Sequence, residues 1–92
     1  MLLLMEYTMK PHISKAEMVE AMGVWEEHGE GPGELVAHWQ RLEGNGGVKV
    51  LQTDDPEAVY RYNLNFTPFL TMKLTSVINV DSAVPQIMYY LS

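Results

Sequence analysis

The stretches Ser14-Lys15-Ala16-Glu17 and Asp54-Asp55-Pro56-Glu57 decide the fold, because each follows an apolar run and has the signature of a helix start. A serine or aspartate side chain at such a position accepts hydrogen bonds from backbone N–H groups that the first helical turn leaves free. Proline fits that first turn because its missing N–H would have no partner there. The two stretches therefore predict two helices, each preceded by a strand.

Four segments around these helix starts have the pattern of β-strands. Residues 1–9 and 71–80 alternate between two faces, and residues 35–43 and 48–53 flank the turn Gly44-Asn45-Gly46-Gly47. The Asn-Gly step favours a tight hairpin, since both residues tolerate positive φ. The element order is therefore β-α-β-β-α-β.

This order predicts an α+β, ferredoxin-like fold with a four-stranded antiparallel sheet in the order 4-1-3-2. Residues 1–80 form the domain, and residues 81–92 form an apolar C-terminal appendage, expected to be a short helix or a tail that contacts a second copy. Both helices cover one sheet face, and the other face favours pairing with a second copy. The homodimer interface is predicted to contain Leu2, Leu4, Glu6, Thr8, Lys73, Thr75 and Val77.

Composition excludes several classes of function. The chain has twelve acidic residues against six basic ones and a net charge of −6. Nucleic acids and anionic membranes both require a basic surface, so neither is an expected partner. No stretch approaches the ~20 apolar residues of a membrane span. The absence of cysteine excludes disulfides and thiolate metal sites, and we expect a cytoplasmic protein.

A family resemblance supports the same fold. The segment from His38-Trp39 through the glycine-rich turn to Ala58, together with residues 75–81, resembles an uncharacterised family of domains of unknown function in the dimeric α/β-barrel superfamily. The resemblance implies a dimeric α/β barrel. Relatives in that superfamily include cofactor-independent monooxygenases of aromatic polyketides, haem-degrading enzymes and lactone isomerases. None of their catalytic motifs matches residues of this chain.

Polar and aromatic residues on the strands and the second helix are the candidates for ligand binding. They are Tyr7, His38, Trp39, Arg41 and Tyr62. His38 and Gln40 share one strand face, and Trp39 and Arg41 share the other. A ligand could stack on Trp39 while His38 or Arg41 supplies a hydrogen bond. In the alternative interpretation, Trp39 is a core residue and the polar pair His38 and Gln40 faces water.

The three histidines lack the spacing of a metal site. His12, His28 and His38 lie in a loop, at a helix end and in a strand, so we expect no metal and no cofactor. The acidic segment Glu26-Glu27-His28-Gly29-Glu30 is expected to face water, with His28 favoured at the helix C-terminus.

The sequence favours a homodimer that binds a small apolar or aromatic molecule, or an accessory module without catalysis. The alternative is a cofactor-independent monooxygenase or isomerase acting on an aromatic substrate, with His38 as proton shuttle. A structural protein that docks a partner through the aromatic tail is a third hypothesis. The residues do not decide whether the protein is an enzyme.

Overall fold

One antiparallel sheet with strands in the order β2-β3-β1-β4 forms the frame of the protein, whose computed structural model describes all 92 residues. The elements are β1 (Leu2–Met9), α1 (Lys15–His28), β2 (Glu34–Gln40), β3 (Gly46–Gln52), α2 (Pro56–Leu64), β4 (Leu70–Val77) and α3 (Val80–Leu91). The first six reproduce the order β-α-β-β-α-β. Read from the β4 edge, the strand order is 4-1-3-2. Both parts of the fold prediction are confirmed.

Both predicted helix starts are present. The Ser14 side chain accepts from the backbone N–H of Glu17, and the Glu17 side chain accepts from the backbone N–H of Ser14, which is a complete capping box. At the second helix the Asp55 carboxylate accepts from the N–H of Ala58, with Pro56 in the first turn. Of the two aspartates in the predicted helix start, Asp55 and not Asp54 is thus the cap.

One face of the sheet carries both α1 and α2. Leu3, Met5 and Tyr7 of β1 lie directly opposite Leu51, Lys49 and Gly47 of β3. Directly opposed residues share a face, so these six side-chain positions define what we call the helix-covered face. Val59 of α2 packs in the core with Leu3 and Leu51. Ala21, Met22 and Trp25 of α1 line a cavity over the same face.

The opposite, uncovered face carries the alternate residues of each strand. Leu2, Leu4, Glu6 and Thr8 lie opposite Val77, Thr75, Lys73 and Thr71 of β4, and Val48 and Val50 extend the surface on β3. All seven residues predicted to form the dimer interface therefore share one face. Their role in dimerisation stays a prediction.

The β2–β3 connection differs from the predicted hairpin. β2 ends at Gln40, and residues 41–45 form a longer loop in which Gly44 has a φ of 78° while Asn45 has no positive φ. The prediction of a tight Asn-Gly turn was wrong. The Arg41 side chain explains the longer loop, because it donates to the backbone oxygens of Tyr7 and Asn45 and to Thr8 Oγ1.

The C-terminal segment forms α3, a helix that the rest of the chain leaves exposed. Every residue from Val80 to Leu91 except Ala83 is exposed, although most of them are apolar. The molecule is 57 Å long against 28 and 17 Å in the other two directions. An eight-residue strand is only ~27 Å long, so α3 extends beyond the sheet.

Candidate functional site

A cavity of about 460 Å³ separates the two helices from the helix-covered face of the sheet. Ten of its fifteen lining residues are hydrophobic, and they come from both helices and from the strands β1 and β4. Met22 and Trp25 of α1 lie on the cavity wall. Both are partly exposed to solvent, and no residue of α1 is buried. The remaining apolar lining includes Met5, Met9, Ala21, Phe66, Leu70 and Met72.

Tyr7 crosses the sheet to reach the polar end of this cavity. It starts from β1, passes over Gly47 of β3 and meets His38 and Gln40 of β2. A Cβ at position 47 would lie 2.4 Å from the Tyr7 hydroxyl and 2.5 Å from the backbone oxygen of Trp39. Only glycine therefore leaves room for the tyrosine ring above β3.

Four residues form one hydrogen-bonded series, which we call the polar chain: Glu30, His38, Tyr7 and Gln40. His38 Nδ1 lies 3.0 Å from Glu30 Oε2, His38 Nε2 lies 2.6 Å from the Tyr7 hydroxyl, and Gln40 Nε2 donates to that hydroxyl at 2.5 Å. A carboxylate only accepts, so Nδ1 carries the proton and Nε2 accepts from Tyr7. The chain can thus move a proton between Tyr7 and His38 while Glu30 fixes the imidazole tautomer.

Lys49 joins the polar chain at Glu30 and is itself buried, with 3% of its surface exposed. Its Nζ donates to the backbone oxygen of Glu30 at 2.6 Å and lies 3.7 Å from Glu30 Oε2. The same Nζ lies 5.0 Å from the centre of the Tyr62 ring, within the range of a cation–π contact. Lys49 thus holds both the backbone and the carboxylate of Glu30.

The loop between α1 and β2, residues 29–33, carries Glu30 and is also held in place by the Tyr62 side chain. The Tyr62 hydroxyl donates to the backbone oxygen of Gly29 at 2.5 Å. Gly31 has a φ of 87°, and a Cβ there would lie 2.8 Å from the Tyr62 ring. The loop therefore lies flat against this ring, which places Glu30 over the cavity.

Burial changes the acidity of three groups around the cavity. Desolvation raises the pKa of Tyr7, and the Glu30 carboxylate adds to this effect, while the Gln40 hydrogen bond opposes it. Desolvation, with the nearby Glu30 carboxylate, raises the pKa of Tyr62 to about 12. Desolvation lowers the pKa of Lys49, and Glu30 opposes that shift. Tyr7 therefore enters the polar chain at neutral pH as a protonated phenol.

Asn63 contributes an unpartnered acceptor to the cavity wall. This residue of α2 is 7% exposed, lines the cavity, and its Oδ1 is buried without a hydrogen-bond partner. Leaving a buried polar atom unpaired costs about 1–3 kcal/mol. A bound molecule or a water with a donor group would remove this cost.

The structure brings together three of the five residues predicted to bind a ligand. Tyr7, His38 and Tyr62 line the cavity. Trp39 lies on the uncovered face with 61% of its surface exposed, and Arg41 belongs to the β2–β3 loop, where it contacts backbone oxygens. The face of β2 that borders the cavity is therefore the one that carries His38 and Gln40.

Sequence reasoning missed Glu30, Lys49 and Asn63. Glu30 was expected to face water with the other glutamates, yet its side chain contacts His38 and Lys49. A signal existed for Lys49, which alternates with Gly47 and Leu51 on β3 and so occupies a buried position. Asn63 follows Val59 by one helical turn, which places it on the buried side of α2. Nothing in the sequence indicated that the loop turns Glu30 inwards.

The residues offer no cluster suited to a metal ion. No three His, Cys, Asp or Glu side chains converge at one place. His28 lies at the end of α1, with its Nε2 4.0 Å from Glu27 Oε2. In addition, no helix combines the length and the apolar composition that crossing a bilayer requires.

Comparison with protein-family models gives one match, a domain of unknown function (DUF3303), over residues 1–88. The match spans nearly the entire chain, so the protein belongs to this family. No curated protein matches the sequence. The family assignment confirms the resemblance to an uncharacterised domain family and brings no activity with it.

Proposed function

We propose that the protein binds a small, largely apolar molecule in the cavity between its helices and its sheet. The observation that carries this proposal is an apolar cavity that ends in the polar chain. Its volume of about 460 Å³ lies within the ~300–1,000 Å³ typical of small-molecule sites. A few polar groups at one end of an apolar wall are the usual means of orienting such a ligand.

The lining defines the kind of molecule that fits. Trp25, Met22 and Phe66 offer an apolar and aromatic surface, which favours a flat hydrocarbon body. The Tyr7 hydroxyl donates its hydrogen to His38 and accepts from Gln40, so its second lone pair can accept a hydrogen bond from a ligand. Asn63 Oδ1 is a second free acceptor. We infer that the ligand has an aromatic or apolar body with a hydroxyl-type donor.

Tryptophan fluorescence tests this proposal, since Trp25 lines the cavity and Trp39 does not. In a Trp39→Phe variant only Trp25 emits, and titration with naphthol is expected to change its emission with saturation. The matched Trp25→Phe variant retains Trp39 and is expected to show no saturable change. A saturable response from Trp39 alone, or from neither, would remove the cavity from consideration as the binding site.

The polar chain supports a second candidate function, proton transfer in a cofactor-independent isomerase or monooxygenase. His38 can accept a proton from Tyr7 because Nε2 already receives its hydrogen bond, and Glu30 stabilises the imidazolium that results. The same Glu–His orientation is what acyl-transfer triads use to position a base. In this candidate Tyr7 contacts the substrate, and His38 and Glu30 act behind it.

Incubation with aromatic hydroquinones and oxygen separates the two candidates. Turnover that falls at least about 100-fold in both Tyr7→Phe and His38→Ala, with ligand binding retained in Tyr7→Phe, supports proton transfer through this chain. Turnover that survives His38→Ala removes the shuttle. Saturable binding without turnover across a panel of hydroquinones leaves the binding function and excludes this chemistry.

We also propose that the protein acts as a homodimer with the architecture of a dimeric α/β barrel. The uncovered face exposes Leu4, Val48, Val50 and Val77 to different degrees, and a second copy offers the same surface in return. Glu6 already lies opposite Lys73 within one chain, so a two-fold arrangement would enclose the two opposite charges side by side. We place this dimer in the cytoplasm, on the composition argument given above.

The exposed helix α3 adds to the dimer proposal. A 12-residue helix is marginal in water by itself, and Pro85 inside it removes one backbone hydrogen bond. Ile87, Met88 and Leu91 are each more than half exposed, so the helix buries almost no apolar surface in one chain. Packing against the second copy would supply the burial that α3 lacks.

A further inference from the structure

Lys49 is the one buried nucleophile that the proposed binding and proton transfer leave unused. Its side chain is 4% exposed, lines the apolar cavity and lies at the end of the polar chain beside Glu30. The backbone explains this position, because Lys49 lies directly opposite both Met5 of β1 and His38 of β2 on the helix-covered face. An amine is thus fixed in the floor of the cavity.

Stability alone does not account for this lysine. Taking the Lys49 ammonium out of water is costly, and a buried charge is often replaced by an apolar residue of similar volume with no loss of stability. Methionine already fills much of the surrounding wall, at Met5, Met9 and Met72. A buried Lys49 is therefore better explained by its chemistry than by its contribution to the free energy of folding.

We propose that Lys49 binds a carbonyl compound covalently, as an imine, with the apolar body of an aldehyde or ketone held in the cavity. This inference rests on the proposed binding function and names the class of ligand. An amine in an apolar site, with an acid–base group in contact, is the arrangement that imine-forming lysines require. Burial also favours the neutral amine, which is the nucleophilic form.

The step balances with the groups that the cavity holds. The lone pair of the neutral Nζ attacks the carbonyl carbon, so a C–N bond forms and the carbonyl oxygen takes up a proton. The resulting carbinolamine loses the oxygen as water and becomes a protonated imine. The proton on the carbinolamine oxygen comes from the attacking nitrogen. Glu30, 3.7 Å from Nζ, takes the proton that the Lys49 ammonium loses before the attack, returns it to the hydroxyl that leaves as water, and remains as the counter-ion of the iminium. No oxidant or reductant takes part.

Reductive trapping tests the proposal on the native protein. Naphthaldehyde is added at neutral pH with cyanoborohydride, and the modified lysines are located by peptide mass mapping. A trapped adduct adds the mass of the aldehyde, less one water, plus two hydrogens. Lys15 is exposed at the start of α1, outside the proposed dimer interface, and is the internal control. We expect at least about tenfold more adduct on Lys49 than on Lys15, since binding holds the aldehyde beside one amine.

Naphthalenemethanol separates failure of this inference from failure of the binding function. It has the same body as the aldehyde and forms no imine, and its binding is followed through Trp25 fluorescence in the Trp39→Phe protein. Alcohol binding with equal labelling of Lys49 and Lys15 would overturn the imine and leave the cavity as a binding site. No binding of alcohol or aldehyde would overturn the cavity proposal as well.

A Lys49→Arg variant gives a second readout. Arginine retains the positive charge and a donor for the backbone oxygen of Glu30, and its guanidinium forms no imine. We expect the adduct at position 49 to disappear. Circular dichroism checks that the variant is folded. Unchanged total labelling of a folded Lys49→Arg protein would contradict the proposal independently of the peptide map.

Discussion

Both faces of the sheet mix polar and apolar side chains, but their surroundings differ. The helix-covered face, where an aliphatic core is expected, holds Lys49, His38 and Tyr7 beside Leu3 and Leu51. The uncovered face holds Leu2, Leu4, Val48, Val50 and Val77. Polar groups thus lie among apolar residues under the helices, and aliphatic groups lie beside Glu6, Lys73 and Thr75 where no helix covers them.

The two faces differ in what covers them: the helices shield the polar chain on one face, and no element of the chain covers the other. The polar chain lies inside because water must be kept from it for its hydrogen bonds to hold their geometry. In the proposed dimer, the second copy would cover the aliphatic residues of the uncovered face. A single chain therefore has a small core, with Leu3, Leu51 and Val59 at its centre. The experiments below alter one face at a time.

The largest expected effect is on the uncovered face. Leu4→Lys places a cation in the proposed dimer interior, once from each copy, and we expect the dimer to weaken by about 100-fold, or about 3 kcal/mol. Sedimentation equilibrium measures the change. Leu42→Lys is the matched control, because Leu42 is fully exposed in the β2–β3 loop. A dimer of equal strength in both variants, or a native protein that is monomeric at micromolar concentration, would contradict the assignment of this face.

The next effect is on the helix-covered face. Glu30→Ala leaves the buried Lys49 without its carboxylate, and we expect a loss of about 2 kcal/mol in the free energy of unfolding. The loss is below that for a fully buried pair because the backbone oxygen of Glu30 still accepts from Nζ. Urea denaturation measures it, with the exposed Glu27→Ala as control. In a Lys49→Met background the same change is expected to cost much less, and an equal cost in both backgrounds would show that the pair is not coupled.

A smaller effect is expected where Tyr7 crosses β3. Gly47→Ala brings a methyl group against the Tyr7 hydroxyl and should destabilise the fold by about 1–2 kcal/mol while displacing Tyr7 from His38. Gly23→Ala is the control in α1, where no atom lies within 4 Å of the added carbon, and it should stabilise by about 0.5–1 kcal/mol. Thermal unfolding compares the two variants. A Gly47→Ala protein with native stability and native ligand binding would refute the packing of Tyr7 over glycine.

The smallest effect concerns alkaline pH. The pKa of Tyr62 rises from 10.0 to about 12 on folding, so the folded state holds this proton more tightly than the unfolded state. The stabilisation is fully present below pH 10.0 and is lost as the pH approaches about 12. Tyr62→Phe should therefore flatten the fall of the melting temperature across this interval. Tyr60→Phe, on the exposed side of α2, is the control and should leave the slope as it is.

The order of elements and the facing of β1 and β4 could be predicted from sequence because they depend on local patterns. Ser14 and Asp55 mark helix starts by capping, and alternation in β1 and β4 places side chains on faces without knowledge of the rest. The site could be predicted only in part. Tyr7 and His38 were identified as single residues, whereas their contact depends on Gly47, which lies between them in the sheet and distant from Tyr7 in sequence.

Neither the inward position of Glu30 nor the length of the β2–β3 loop could be predicted from sequence, because both depend on contacts between distant segments. The inward turn of Glu30 depends on Gly31 lying against the Tyr62 ring and on the Lys49 amine, which are contacts between distant segments. The hairpin was predicted from the Asn-Gly step alone, and the long-range contacts of Arg41 with β1 prevailed over that local preference.

Chemical-shift mapping with naphthol tests whether the cavity between the helices and the sheet is a binding site, since a 10.5 kDa chain gives well-resolved amide spectra. We expect saturable shifts at cavity residues, led by Met22, Trp25, His38 and Tyr62, with the amides of Leu4 and Thr75 unchanged. Shifts confined to the uncovered face or to α3, or the absence of shifts at saturating naphthol, would contradict a binding site between the helices and the sheet.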